Sequence, residues 1–105
     1  MTRPSITRSA LVCYDVSDTA LRSEVAKRLS RSGDRIQYSV FRVTGSPMIL
    51  AQLHRDLHRM LRGHRAHVVI IDLGSSDAVA HKVTEIGTPL LPSDVEWEEP
   101  DGWFL

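Results

Sequence analysis

Arg35-Ile36-Gln37-Tyr38-Ser39-Val40-Phe41-Arg42-Val43 is the stretch on which the fold turns. Apolar and polar residues alternate along it, with Ile36, Tyr38 and Val40 on one face and Gln37, Ser39 and Phe41 on the other, as in a half-buried strand. Thr44-Gly45 closes the run, and Ser46-Pro47 opens a helix with a capping hydroxyl and a proline in the first turn. The pattern therefore predicts one long strand leading into a helix.

Upstream, Ala10 to Val16 reads as a short strand, apolar on nearly consecutive positions and so covered on more than one side. It ends in Tyr14-Asp15. Ser17-Asp18-Thr19 supplies N-cap candidates for a first helix, in which Leu21, Val25 and Leu29 recur every four residues as the buried stripe. Gly33 is the expected stop, and Arg22, Lys27, Arg28 and Arg31 form the opposite, basic surface. Downstream, Leu50, Leu53, Leu57 and Leu61 mark the core side of the second helix, with His54, Arg55, His58, Arg59 and Arg62 on its polar side and Gly63 ending it. His67 to Leu73 is a further strand rich in β-branched residues, and His81 to Ile86 is expected as a shorter one bounded by Gly87 and Pro89.

This order fits an α+β plait, an antiparallel sheet with two helices on one face. A ferredoxin-like plait needs two strands between its helices, so the Arg35 to Val43 segment serves as two by bending, with the turn expected near Val43-Thr44-Gly45. Residues 1–87 are read as the folded body and 88–105 as a tail of the same domain. The tail carries Pro92, Pro100 and acidic residues around Trp97, and ends Asp101-Gly102-Trp103-Phe104-Leu105. Its aromatics need cover, which predicts docking as an edge strand or exchange between the subunits of a homodimer.

A chain of 105 residues suits one domain with a core that needs no disulfide. No apolar run reaches the roughly 20 residues that span a bilayer, and Met1 to Ser9 lacks the apolar region of a secretory signal, so no membrane association and a cytoplasmic location are expected. The net charge is zero, but it is sorted: residues 1–65 hold 12 Arg/Lys against 5 Asp/Glu, and residues 66–105 hold one Lys against 8. Eleven of the 12 cations in the first part are Arg, whose planar fork suits bidentate contact with phosphate. The alternative is that these arginines are solvated helix faces.

Asp15 sits where a rigid strand ends and its side chain can reach solvent. It either caps the following helix alongside Ser17 and Asp18 or mounts a divalent ion. One carboxylate holds Mg²⁺ poorly, but two copies of Asp15 across a two-fold axis make a paired-carboxylate site. His54 and His58, four apart, lack a third ligand or a zincin glutamate and read as surface groups, as do His64 and His67 around Arg65. The lone Cys13 lies in an apolar run and reads as a small packing residue. Ser39 has no neighbouring base to activate it, and no phosphate-cradling glycine loop or CxxC pair is present.

Taken together, Tyr14-Asp15-Val16, Arg22, Val25-Ala26-Lys27, Leu29, and Gly33 followed by Arg35 to Phe41 give the chain a resemblance to the CRISPR-associated protein two family, the smaller protein of the spacer-adaptation machinery. The resemblance covers about residues 10–86, with Val68 to Leu73 similar to that family's third strand and Val83 to Gly87 similar to its fourth. It implies a ferredoxin-like homodimer with metal-dependent endonuclease activity on RNA or double-stranded DNA. It implies too a dimer that bridges copies of the larger CRISPR-associated integrase (protein one) and binds the DNA to be inserted. On that pattern Asp15 is the catalytic residue and the ligand of Mg²⁺ (or Mn²⁺), while Tyr14, Arg22, Arg35 and Phe41 contact or position nucleic acid. The chain departs from the pattern at Arg42, where many members are acidic, and at Asp72, where a Tyr-Pro pair is usual. Two other readings stay open, a non-catalytic DNA-binding adaptor and a small regulatory plait.

Overall fold

The computed structural model describes residues 7–88. Strand β1 (Arg8–Val16) leads through the N-cap Asp18 into helix α1 (Thr19–Ser30). Strands β2 (Gly33–Gln37) and β3 (Val40–Gly45) follow, then helix α2 (Pro47–Leu61), strand β4 (Ala66–Ser75) and a short 3-10 helix (Ser76–His81). The four strands form one antiparallel sheet in the order β2-β3-β1-β4, the ferredoxin-like arrangement for a β-α-β-β-α-β chain.

The helices cover one face of that sheet. Ala10, Val12, Tyr14 and Val16 of β1 and Phe41 and Val43 of β3 point into a core closed by Leu21, Val25 and Leu29 of α1 and by Leu53 and Leu57 of α2. Leu50, Leu61, Ala66, Val68 and Ile70 pack against it half-buried. The stripes expected from helical spacing are thus the ones buried, and Ser46 caps α2 by accepting from the Ile49 amide. Gly63, with φ of 80°, ends the second helical segment in the left-handed conformation that glycine adopts without strain.

Three sequence expectations are corrected. The Arg35 to Val43 run does serve as two strands, but it reverses at Tyr38-Ser39 rather than near Val43-Thr44-Gly45. Gln37 pairs with Val40 across a two-residue turn, and a bulge between Arg35 and Gln37 takes up the misfit of a turn in which no non-glycine residue has positive φ. The first helix ends at Ser30, capped by Arg31, so Gly33 is not its stop. Gly33 instead opens β2, where a Cβ would stand 1.9 Å from the Arg42 carbonyl oxygen; hydrogen is the largest substituent that fits. The expected strand at His81 to Ile86 is absent, and with it the likeness of Val83 to Gly87 to the family's fourth strand: the chain there leaves the 3-10 helix and runs irregularly, and β4 is the fourth strand. The tail read as an edge or exchanged strand lies outside the described residues.

Candidate functional site

Strand β1 delivers Asp15 to the end of the sheet. Alternation along the strand buries Tyr14 and Val16 among the helices and turns Asp15 to the opposite, open face, where it is exposed. The helix cap is supplied by Asp18, whose carboxylate accepts from the amides of Ala20 at 3.0 Å and Leu21 at 3.4 Å. Asp15 takes no part in it. Among the described residues its carboxylate has no hydrogen bond or ion pair, so its oxygens are available to a ligand.

The backbone under Asp15 is tied down from two sides. Arg22 Nη1 donates to the carbonyls of Val16 at 2.8 Å and Ser17 at 3.3 Å, fixing the strand end against the first turn of α1. On the other side the Tyr14 amide donates to the Ser39 carbonyl at 3.0 Å, and the Tyr14 hydroxyl donates to the Tyr38 carbonyl at 3.3 Å. Both turn carbonyls of the β2-β3 hairpin are thereby held on β1. Arg35 Nη2 donates to the Tyr14 hydroxyl at 3.1 Å, and its guanidinium lies 4.8 Å from the Phe41 ring centroid and 5.7 Å from that of Tyr38. Tyr14 and Phe41 stack at 6.3 Å between centroids. Burial pushes the Tyr14 phenol above its ordinary value, outweighing the Arg35 hydrogen bond and the charges of Arg35 and Arg22, so it stays a neutral donor at physiological pH.

The five residues singled out from sequence therefore gather at one end of the sheet, but in different layers. Asp15 faces solvent. Tyr14 and Phe41 are 6% and 2% exposed, which places both rings in the core, where they seat Arg35 and the hairpin turn. Arg22 and Arg35 are half-buried and engaged with protein atoms. Arg28, read as part of a basic surface, lies between the helices with its Nε 2.9 Å from Asp56. Asp72 sits near the other end of β1, where Arg8 Nη2 reaches it at 3.0 Å and the Gly74 amide at 2.7 Å; the Gly74 bond and Arg8 hold its carboxyl below the usual range.

Two features at the Asp15 end escaped the sequence reading. The loop between α2 and β4 brings exposed Arg65 beside the end of β1, because Ala66, the next residue, pairs with Val16, while Arg62 caps α2 and lines a groove with His54, His58, Val68 and Ile70 on the helix side of the sheet. The next rung of the same ladder sets His67 opposite Asp15. The register between distant strands, which spacing along the chain does not encode, places them there.

The family model for CRISPR associated protein Cas2 matches residues 8–79, which takes in every strand and both long helices. The chain belongs to the Cas2 family. Over 60 residues it is 33% identical to CRISPR-associated endoribonuclease Cas2 4 of Rhodospirillum rubrum, a match covering 57% of this chain and 48% of that protein. Over 64 residues it is 39% identical to CRISPR-associated endoribonuclease Cas2 1 of Archaeoglobus fulgidus, covering 60% of this chain and 68% of that one. The matched stretch thus spans about half the length of the first of these relatives. Among solved structures, the hypothetical protein TT1823 from Thermus thermophilus superposes with a TM-score of 0.66 at 28% identity, over 83% of this chain and 99% of that one. Streptococcus pyogenes Cas2 shares the fold, with a TM-score of 0.64 at 24% identity over 75% of this chain and 99% of that one.

The Cas2 resemblance implies a divalent ion at Asp15, whose carboxylate is an oxygen donor of the kind such an ion takes, although among the described residues no three His, Cys, Asp or Glu side chains gather to hold one. Asp15 presents an exposed carboxylate with both oxygens uncommitted, a hard-oxygen donor, on a strand end whose backbone is braced by Arg22 and Tyr14.

Proposed function

We propose that this member of the Cas2 family is a metal-dependent endonuclease that cuts phosphodiester bonds in RNA or double-stranded DNA, and that it works as a homodimer. The observation that carries the reading is the uncommitted, solvent-facing Asp15 on a braced strand end, in a chain whose relatives are named endoribonucleases. Asp15 would hold Mg²⁺ or Mn²⁺, and two copies across a two-fold axis would supply the carboxylate pair that one protomer lacks. A divalent ion bound there supplies Lewis acidity toward the phosphodiester and makes water a better nucleophile. Arg65, exposed in the adjoining loop, offers a guanidinium group to a phosphate oxygen beside the scissile bond. Arg22 keeps the Asp15 backbone in place through its carbonyl bonds. Tyr14, Arg35 and Phe41 act one layer below, fixing the hairpin turn that borders the site.

The test is cleavage of end-labelled RNA and duplex DNA with Mg²⁺ and with chelator. Asp15→Ala should abolish the metal-dependent products while the protein keeps its dimeric mass; undiminished cleavage would overturn the reading.

The helix layer favours a second reading, in which the dimer binds DNA without cutting it and bridges copies of the CRISPR integrase. Lys27 and Arg31 of the α1 end and Arg55 and Arg59 of α2 are all exposed on the outer face of the helices. Such a surface binds phosphate backbones with an affinity that falls as salt rises. Under this reading Asp15→Ala leaves DNA binding and integration intact, whereas reversing Lys27 and Arg31 to Glu lowers affinity and flattens its salt dependence.

A further inference from the structure

Asp15 has a polar neighbour on its own face of the sheet. In the antiparallel β1-β4 ladder it stands directly opposite His67, and the residues flanking both, Tyr14, Val16, Ala66 and Val68, turn inward to the core. The same face runs on as apolar rungs, Cys13 opposite Val69 and Leu11 opposite Ile71, so the Asp15-His67 rung is where this stripe becomes polar. Both residues are exposed, and among the described residues neither side chain has a hydrogen bond or ion pair. Directly opposed residues in such a ladder have Cβ atoms about 5 Å apart. A carboxylate and an imidazole carried that far apart would both reach a single ion.

We infer that His67 is a second protein ligand at the Asp15 site, making a mixed oxygen and nitrogen pair that takes a first-row transition ion such as Mn²⁺ in preference to Mg²⁺. This rests on the reading of Asp15 as a metal ligand and says which ion that site selects. Mg²⁺ is a hard ion that keeps oxygen ligands and waters, and a neighbouring imidazole adds little to its binding. An imidazole nitrogen strengthens binding along the first-row series, so the gain from His67 appears with Mn²⁺ and not with Mg²⁺. The second copy's carboxylate and waters would complete the shell.

Mn²⁺ binding to the full chain, followed by the electron paramagnetic resonance of the free and bound ion, tests the assignment without any need for turnover. Pulsed spectra should show modulation from a directly bound ¹⁴N in the wild type. His67→Gln should remove that modulation and weaken Mn²⁺ by about tenfold or more, while Mg²⁺ affinity stays within about twofold. His58→Gln, on the helix side of the sheet, should keep both the modulation and the affinity. Asp15→Asn should weaken both ions. Because both site residues are exposed, thermal melts of the variants should match the wild type.

The inference is overturned if His67→Gln binds Mn²⁺ as the wild type does, if it weakens Mg²⁺ and Mn²⁺ equally, or if the wild type shows no ¹⁴N modulation. Its failure is separable from that of the nuclease reading. A His67→Gln protein with unchanged Mn²⁺ binding beside an Asp15→Asn protein that no longer cuts removes His67 alone. A wild type that binds Mn²⁺ through His67 but cuts nothing removes the nuclease reading and keeps the site.

Discussion

The Tyr14 hydroxyl donates to the Tyr38 carbonyl and accepts from Arg35, while its amide holds the Ser39 carbonyl. Tyr14→Phe keeps the ring against Phe41 and the amide bond but leaves two half-buried partners, Arg35 and the Tyr38 carbonyl, short of a hydrogen bond. A loss of about 1–3 kcal/mol is expected, read from urea unfolding midpoints at unchanged slope. Cleavage should fall less than for Asp15→Ala, because Tyr14 acts on the turn and not on the substrate. Asp15→Asn should leave stability within about 0.5 kcal/mol of wild type, as befits an exposed side chain with no partner, so any loss of cutting is a loss of chemistry. The Tyr14-Asp15 pair was legible as a strand-end carboxylate. Its assignment as ligand or cap was not, because Asp15 and Asp18 are both acidic residues near one helix start. The 3.0 Å bond from the Ala20 amide to Asp18 gives the cap to Asp18 and leaves Asp15 out of it.

At the scale of elements, the β2-β3 hairpin shows how a pattern misleads. The turn contains Tyr38 and Ser39, neither of which signals reversal, and alternation continues through it, so the run from Arg35 to Val43 reads as one strand. The signal lay in Gly33, which reads equally well as a helix stop. Gly33→Ala would drive a Cβ into the Arg42 carbonyl 1.9 Å away, and since that atom is backbone the hairpin must shift. A destabilisation of roughly 1–3 kcal/mol is expected, measured by chemical denaturation. The two helices are joined by Asp56, which accepts from Arg28, Gln52 and Arg59. The Arg28 hydrogen bond first, then Gln52, hold its carboxyl below the ordinary range. Because the folded state binds that proton less readily, the stabilisation is present above the unfolded carboxylate value of about 3.9 and fades as pH falls through the lower folded value. Asp56→Asn should therefore melt below wild type at neutral pH, and the gap should close in strong acid. A gap that widens on acidification would contradict this.

For the molecule as a whole, helical stripes and strand alternation were enough to specify a plait with both helices on one face, because burial there follows period and spacing. Everything that depends on register was hidden: the rung that pairs Asp15 with His67, the loop that brings Arg65 to it, and the burial of Arg22 and Arg28 in contacts that turn cations into braces. The open sheet face carries Val69 and Ile71 at 42% and 47% exposure, next to the Asp15 rung. A second copy covering that face would bring two Asp15 residues toward one axis. Val69→Glu should then halve the mass found by light scattering and abolish cleavage with an unchanged circular dichroism spectrum. A dimeric, active Val69→Glu protein would exclude that face as the contact.

The central claim is that the chemistry belongs to the Asp15 end of the sheet and not to the carboxylate near its other end. Cleavage of one end-labelled substrate by Asp15→Asn and Asp72→Asn proteins, side by side in Mg²⁺ and in Mn²⁺, tests it most directly. Asp72 is engaged by Arg8 and the Gly74 amide, so its replacement should cost stability and leave cutting within a few-fold of wild type, whereas Asp15→Asn should lose about a hundredfold or more. An Asp15→Asn protein that cuts as the wild type does, or an Asp72→Asn protein that alone loses activity, would contradict the account.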